Sequence, residues 1–213
     1  ELAGELEGPG VVKRRSPHDQ GSWFALGSVD PSTDGRAEEI AELLRHVGEV
    51  EIVDDILSAK WMKLVMNAMT LATSALTGMG LNETYALPGM RELMLKAGAE
   101  ALAAGAARGH KPVPIVGLRR DELENTNHLL ELLLEKLETF TLPDTPTTVL
   151  QDHRNGRMSE TNGINGLVAE TLETGRMPAP ANAAVAEITR RIHAGELAPD
   201  PANLALIREM VAI

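Results

Sequence analysis

The chain has 213 residues, which is long enough to bury a hydrophobic core, and its formal net charge is -11. Because nucleic-acid backbones are also negative, this charge argues against nucleic acid as a general partner. The sequence contains no cysteine. The absence of cysteine excludes disulfides, thiol catalysis and thiolate metal sites, and it fits a reducing, cytoplasmic compartment.

Neither a membrane segment nor a metal site is predicted from the sequence. The most apolar stretch, residues 64–80, is interrupted by Asn67, Thr70 and other polar residues, whereas a membrane helix needs ~20 apolar residues. We find no signal peptide. The 6 histidines are scattered without a pair at metal-ligand spacing. The expected metal content is therefore none, and no membrane partner is expected.

The first 53 residues alternate short strands with one helix. Strands are predicted at residues 11–12, 23–26 and 50–53, and a turn at 30–32 opens an amphipathic helix over 33–46. The one basic run, Lys13-Arg14-Arg15, is either a solvated strand edge or an anion site. This order is typical of the end of an α/β domain.

From residue 54 onward the periodicity predicts helices almost exclusively. Low aromatic content, 2%, favours helices packed through Leu, Ala, Val, Ile and Met. The predicted fold class is mainly α, preceded by a small α/β segment. The expected helices cover residues 54–77, 88–108, 121–138, 159–174, 181–193 and 201–211, with the third ended by a proline-threonine stretch at 142–148.

A polar stripe runs along the first of these helices, and its members share one face because they are three or four residues apart. A partly buried lysine can donate a proton to a carbonyl oxygen as negative charge develops there. The alternative is that Lys63 extends to solvent and Asn67 bonds locally. The stripe consists of Lys60, Lys63, Asn67, Thr70 and Ser74.

Glu160 follows Ser159 at the expected start of a helix. A carboxylate there is favoured by exposed amides, so Glu160 is either a capping residue or a group that binds substrate. Thr148, Gln151 and Asp152, just upstream, are further candidates for hydrogen bonds to a substrate carboxylate or to the protein itself.

The order of these motifs resembles the ketopantoate reductase (2-dehydropantoate 2-reductase) family. The matching pieces are KWMKLVMN at 60–67, Glu100 with Gly109, GRMSE at 156–160, ING at 164–166 and PAN at 180–182. The resemblance implies a helical C-terminal domain of the 6-phosphogluconate dehydrogenase C-terminal-like type. According to the same resemblance, residues 54–213 form the substrate-binding domain. Residues 1–53 are then a remnant of the dinucleotide-binding Rossmann domain.

The resemblance also implies an activity, which is reduction of a 2-oxo acid with NADPH. Lys63 matches the general acid at the keto oxygen, and Glu160 matches the glutamate that engages the substrate hydroxyl. Asn67 matches a substrate-binding asparagine, with Thr70 beside it. Thr148 stands where the family usually has a substrate-binding serine. For the substrate carboxylate, Thr148, backbone amides, Arg154 and Arg157 are the candidates.

Three departures from the family pattern bear on this expectation. Leu71 replaces a second asparagine, and Asn162 stands where an aspartate is common. The sequence contains no Gly-x-Gly-x-x-Gly loop, so NADPH is expected to bind largely on a missing N-terminal part. The chain is therefore expected to be an incomplete enzyme, and no cofactor-binding residue is named.

Two other functions stay open from the sequence. One is a non-catalytic helical binding or dimerisation module derived from the same family. The other is a relative that reduces a different branched 2-oxo acid. A helix-mediated homodimer is expected in either case, since leucine-rich faces are predicted to be exposed.

Overall fold

The computed structural model describes residues 4–14, 22–33, 35–124, 126, 128–140 and 145–211. The chain divides into two compact units. The first consists of Glu1–Lys63 with His110–Leu142, and the second of Leu64–Gly109 with Pro143–Ile213. The predicted domain boundary between residues 53 and 54 stays a prediction. Arg15, at the end of the basic run, lies outside the described residues, as do residues 142–144 of the proline-threonine stretch.

The first unit contains two small sheets. Strands β1 (Gly4–Gly8) and β2 (Val11–Arg14) form an antiparallel hairpin. Strands β3 (Ser22–Leu26) and β4 (Gly48–Ile52) are parallel, with Ser22 opposite Gly48 and Leu26 opposite Ile52. Helix α1 (Gly35–Leu44) connects them after a short 3-10 turn, as parallel pairing requires a crossover. The sequence predicted three of these strands and missed β1.

Three further helical segments belong to the first unit. They are the start of α2 (Ile56–Ala75), and α5 (Arg120–Glu124) and α6 (Leu129–Phe140). The sequence predicted one helix over 121–138, and this was wrong. The Thr126 hydroxyl accepts the His128 amide at 2.9 Å, a local bond that competes with helical pairing. Helix α6 therefore begins anew at Leu129.

Within its described residues, the second unit consists of helices and the loops that connect them. It contains the rest of α2, then α3 (Leu81–Tyr85), α4 (Met90–Ala107), α7 (Thr148–Arg154), α8 (Leu167–Thr174), α9 (Pro180–His193) and α10 (Asn203–Val211). A π-helical turn spans Asn162–Gly166 ahead of α8. The sequence predicted the longer helices and missed α3, α7 and the π turn. The predicted fold class, mainly α with a small α/β segment, is confirmed.

Methionine and small aliphatic residues fill the core, as the low aromatic content predicted. Met66, Met69, Met90 and Met94 are at most 2% exposed. A flexible thioether fills irregular gaps between helices that pack closely through alanine and glycine. Few aromatic side chains are then needed.

The end of α2 is held by a distant loop. The Leu76 carbonyl accepts the Asp200 amide at 2.9 Å and the Asn203 side-chain amide at 3.0 Å. Gly78 follows with φ of +75°, and a Cβ there would lie 3.1 Å from the Pro199 oxygen. Both the left-handed backbone and the close approach call for glycine, so the helix ends where the sequence predicted.

Candidate active site

Lys63 lies on the wall of a cavity of about 360 Å³ in the first unit. Strand β3 contributes residues 23–25, the start of α2 contributes Ile56, Ala59 and Lys60, and residues 115–116 complete the lining. Both lysines are exposed. The cavity therefore combines an apolar wall with two ammonium groups, and Lys63 borders any small molecule bound there.

The start of α2 is fixed by a capping network. Asp55 accepts the Ser58 amide at 2.9 Å and the Ser58 hydroxyl at 2.6 Å, which lowers the pKa of the Asp55 carboxyl below its usual value. The Ser58 hydroxyl in turn accepts the Lys111 amide at 3.0 Å. Trp61 stacks on His110 with ring centroids 5.0 Å apart. These contacts fix the helical turn that carries Lys60 and Lys63.

Further along α2, in the second unit, the polar residues of the predicted stripe are less exposed than Lys60 and Lys63. Asn67 is half-buried. Thr70 is buried, and its hydroxyl donates to the Met66 carbonyl at 2.8 Å, while Ser74 donates to the Thr70 carbonyl at 2.6 Å. These two hydroxyls bond to their own helix, which is the common behaviour of Thr and Ser within helices. The substrate-binding roles of Asn67 and Thr70 stay predictions.

Thr148 and Glu160, both predicted site residues, meet in the second unit. The Thr148 hydroxyl donates to the Glu160 carboxylate at 3.1 Å, and both side chains are exposed. Helix α7 is positioned for this by Thr147, which caps it by accepting the Leu150 amide at 3.2 Å. The Thr147 hydroxyl also donates to the Leu71 carbonyl on α2 at 2.9 Å. The pair is thus anchored to α2.

A buried network joins Glu100, Asn165 and Asn182, three residues that carried the family resemblance. Glu100 accepts the backbone amides of Ala181 and Asn182 at 2.9 Å each and the Asn182 side-chain amide at 2.7 Å. Asn165 donates to the Asn182 side-chain oxygen at 2.9 Å and to the Ala68 carbonyl at 3.0 Å. Glu100 therefore supplies the N-terminal cap of α9, whose own first residues lack one.

This network was missed from the sequence as a structural unit. Glu100 and Asn182 are 82 positions apart, so no local pattern relates them. The one available signal was that a glutamate and two asparagines interrupt otherwise apolar helices. Such residues are retained in a core only when partners satisfy them.

The segment that carries Glu160 enters an unusual helix. The Glu160 carbonyl accepts the Gly163 amide at 2.9 Å, and residues Asn162–Gly166 then form the π turn. Insertions of this kind are frequent at functional sites because they redirect side chains. Here the turn directs Asn165 into the buried network while Asn162 stays exposed.

Two histidines lie behind the Glu160 segment. His153 and His193 pack edge to face with centroids 5.1 Å apart, and they border a small cavity of about 110 Å³. His193 Nε2 accepts the Ser159 amide at 3.4 Å. Within the described residues both ring nitrogens of His153 are buried without a hydrogen-bond partner of ordinary geometry. Burial, and then the neighbouring His193, lower the pKa of His153 below its ordinary value of 6.5, while Ala75 and Asp152 act weakly in the opposite direction.

We expect the protein to lose stability as the pH falls below ~6.5, the ordinary pKa of histidine in an unfolded chain. A histidine with a lowered pKa binds fewer protons folded than unfolded between its two pKa values, so stability rises with pH across that window. Thermal unfolding of wild type and His153→Phe at about pH 7.5 and about pH 5.5 tests this. The decrease in Tm between the two pH values should be smaller in His153→Phe than in wild type. In the exposed control His46→Phe, the decrease in Tm should equal that of wild type. Equal falls in all three proteins would contradict the assignment.

The two arginines suggested for a substrate carboxylate have other partners. Arg154 donates to the Gly78 carbonyl at 3.3 Å, and Arg157 pairs with Asp152 at 3.1 Å. Both remain exposed. Their engagement within the second unit weakens the suggestion that either anchors the substrate.

Two glycines of the α/β segment lie where the backbone approaches itself closely. A Cβ at Gly27 would lie 2.7 Å from the Val53 oxygen, and one at Gly48 would lie 2.1 Å from the Ser22 oxygen. These glycines therefore allow the chain to pack against itself. The expectation that the cofactor binds largely on a missing N-terminal part stays a prediction.

Within residues 4–14, 22–33, 35–124, 128–140 and 145–211, no group of three or more His, Cys, Asp or Glu side chains is placed to hold a metal ion. Over the same part of the chain, no helix is long and apolar enough to cross a membrane.

Comparison with known proteins gives consistent matches. Residues 55–193 match the family model described as ketopantoate reductase PanE/ApbA C terminal. The 2-dehydropantoate 2-reductase of Mesorhizobium japonicum is 31% identical over 192 residues, which cover 88% of this chain and 52% of that protein. The chain thus spans about half the length of this curated relative.

Solved structures with a similar fold include a dehydrogenase and a reductase. D-mandelate dehydrogenase with NADH and anilino(oxo)acetate has a TM-score of 0.74 at 16% identity, with 91% of this chain and 58% of that chain covered. The dimeric ketopantoate reductase of Staphylococcus aureus has a TM-score of 0.67 at 13% identity, with 92% and 61% covered. At these identities the likeness establishes the fold alone.

Proposed function

Since the chain belongs to the ketopantoate reductase PanE/ApbA C-terminal family, we propose that it forms the substrate-binding part of an oxidoreductase. The reaction is NADPH-dependent reduction of a 2-oxo acid, 2-dehydropantoate or a close analogue, to the 2-hydroxy acid. The observation that carries the proposal is the placement of Lys63, the residue matched to the family's general acid, on the wall of a cavity of about 360 Å³. A pocket of this size accommodates a small acid.

Lys63 provides the proton in this reaction. When bound, a nicotinamide cofactor supplies the hydride to the carbonyl carbon. As the carbonyl oxygen gains negative charge, the Lys63 ammonium donates a proton to it, and the product is the alcohol. An ammonium on a flexible stem can approach the oxygen as the charge develops. The capped start of α2 limits the positions from which Lys63 makes this approach.

In the second unit, we assign substrate-binding roles to Glu160 and Thr148 because both match substrate-binding positions of the family. A carboxylate accepts a hydrogen bond from a hydroxyl, and the bond from Thr148 at 3.1 Å orients the Glu160 carboxylate for this role. Asn67, half-buried on α2, matches a substrate-binding asparagine of the family. Leu71 stands where a second asparagine is usual in the family, which favours a substrate with an additional apolar group.

Turnover in a completed protein tests the proposal. The chain is joined to the part of the Mesorhizobium japonicum relative that the match does not cover, and NADPH oxidation is followed with 2-dehydropantoate and other branched 2-oxo acids. We expect turnover with at least one acid in the fusion and none in the chain alone. A correctly folded fusion without turnover on any acid would favour the rival function, a non-catalytic helical module.

The assembly proposed for the protein is a homodimer. The related Staphylococcus aureus enzyme is described as dimeric, and the chain exposes large apolar side chains such as Leu43, which is 71% exposed. Light scattering on the same fusion should give twice the mass of one fusion polypeptide. The mass of a single polypeptide at all concentrations would refute this part of the proposal.

A further inference from the structure

We infer that Lys60 binds the carboxylate of the substrate acid. The inference rests on the proposed function, because it assigns a second cation in the cavity that contains Lys63. Among the described residues, the charged residues that line this cavity are Lys60 and Lys63. The other described lining residues are uncharged and come from strand β3, from α2 and from residues 115–116. A described lining with two ammonium groups and no carboxylate favours an anionic ligand.

The spacing of the two lysines matches the chemistry of a 2-oxo acid. Residues three apart on a helix are neighbours, with about 5–6 Å between their Cβ atoms. In a 2-oxo acid the carboxylate and the keto carbonyl are on adjacent carbons, so two flexible ammonium groups on one helical turn can each reach one of them. If Lys63 donates its proton to the keto oxygen, the carboxylate is left to Lys60.

The overall charge of the chain makes a local cation necessary. With a formal net charge of -11, the protein repels a carboxylate substrate at long range, and a positive cluster offsets this at the cavity. The nearest capping carboxylate, Asp55, is held by Ser58 and does not line the cavity. Lys60 therefore contributes to binding of the carboxylate. Without Lys60, Lys63 would have to bind the carboxylate and also donate the proton.

The apolar part of the lining suits an apolar substituent. Trp23, Phe24 and Ile115 line the cavity. Val116 beside them has φ of +51°, a left-handed backbone that a β-branched residue adopts only when its surroundings hold it. Lys136 donates to the neighbouring Gly117 carbonyl at 3.0 Å and restrains this loop. The ligand class is thus a 2-oxo acid with a branched apolar side chain.

Binding of a matched pair of ligands to the purified chain tests the assignment. The acid is 2-oxo-3-methylbutanoate, and the neutral analogue is 3-methyl-2-butanone, in which a methyl group replaces the carboxylate. Dissociation constants come from ligand-observed saturation-transfer NMR titrations. We expect Lys60→Met to weaken binding of the acid about 10-fold, the scale of one hydrogen bond to a charged group, and to leave the ketone unchanged. Lys60→Arg should stay within about 3-fold of wild type for the acid.

Lys111→Met is the matched control, because it removes an exposed lysine of the same unit that does not line the cavity. It should bind both ligands like wild type. If Lys60→Met binds the acid like Lys111→Met, or weakens the ketone equally, the inference is wrong while the proposed function stands. If the wild-type chain binds neither ligand, both the inference and the proposed substrate class are wrong. Circular dichroism of each variant checks that it is folded.

Discussion

Lys63→Met is expected to lower kcat of the completed fusion by roughly 10²- to 10⁴-fold, the range usual for loss of a positioned proton donor. KM should change by less than about 3-fold, since the proton is transferred in the transition state rather than in the ground state. Lys63 is exposed, so the substitution should not disturb the core. Steady-state NADPH oxidation with the best acid measures both constants.

Three companion proteins make this result specific. Lys111→Met removes the same charge outside the cavity and should retain wild-type kcat. Lys63→Arg keeps the charge but holds its proton more tightly, so it should remain strongly impaired. Lys60→Met should raise KM with little change in kcat. Retention of more than about a tenth of kcat in Lys63→Met would exclude it as the general acid, since even modest acid catalysis contributes more.

Glu100→Ala is expected to destabilise the protein by about 2–4 kcal/mol, because it leaves several buried donors without an acceptor. The affected groups are the amides of Ala181 and Asn182 and the Asn182 side chain. Loss of the cap at α9 adds to the effect. Urea unfolding followed by circular dichroism measures the free energy of unfolding.

The matched control for Glu100 is Glu209→Ala. Glu209 is exposed on α10 in the same unit, and its removal should change stability by no more than about 0.5 kcal/mol. Glu100→Gln should be intermediate, since one side-chain oxygen remains while the new NH₂ group faces backbone donors. If Glu100→Ala matched Glu209→Ala, the carboxylate would not be the essential acceptor in the network.

Local patterns were sufficient for most of the helices. The apolar spacing along α2 and α4 and the glycines at 78 and 109 are properties of neighbouring residues, and helical hydrogen bonds connect neighbours. The break between α5 and α6 was missed because the acidic and leucine-rich turns on either side both favour helix. Helices α3 and α7 were missed because each spans less than two full turns and is held by tertiary contacts.

The candidate site was predictable only in part. Lys63 and Asn67 are one turn apart on a single helix, so their shared face follows from the sequence. The resemblance to a family suggested Glu160 and Thr148, and nothing local predicted that the two would be hydrogen bonded. Thr70 and Ser74 fit the same stripe, yet their hydroxyls bond to their own helix. Periodicity identifies a face of a helix but not which polar group turns back to the backbone.

The fold class, the order of the long helices and the acidic charge balance could be predicted from the amino-acid order, because each depends on composition or on residues close in the chain. The folded chain was needed to show that Glu100 caps α9, that Asn165 joins α9 to α2, and that Lys60 lines the same cavity as Lys63. The first two depend on residues far apart in sequence, and the third depends on β3 and the 115–116 loop closing around the start of α2. Satisfying buried polar groups is a property of the assembled core, which no local pattern encodes.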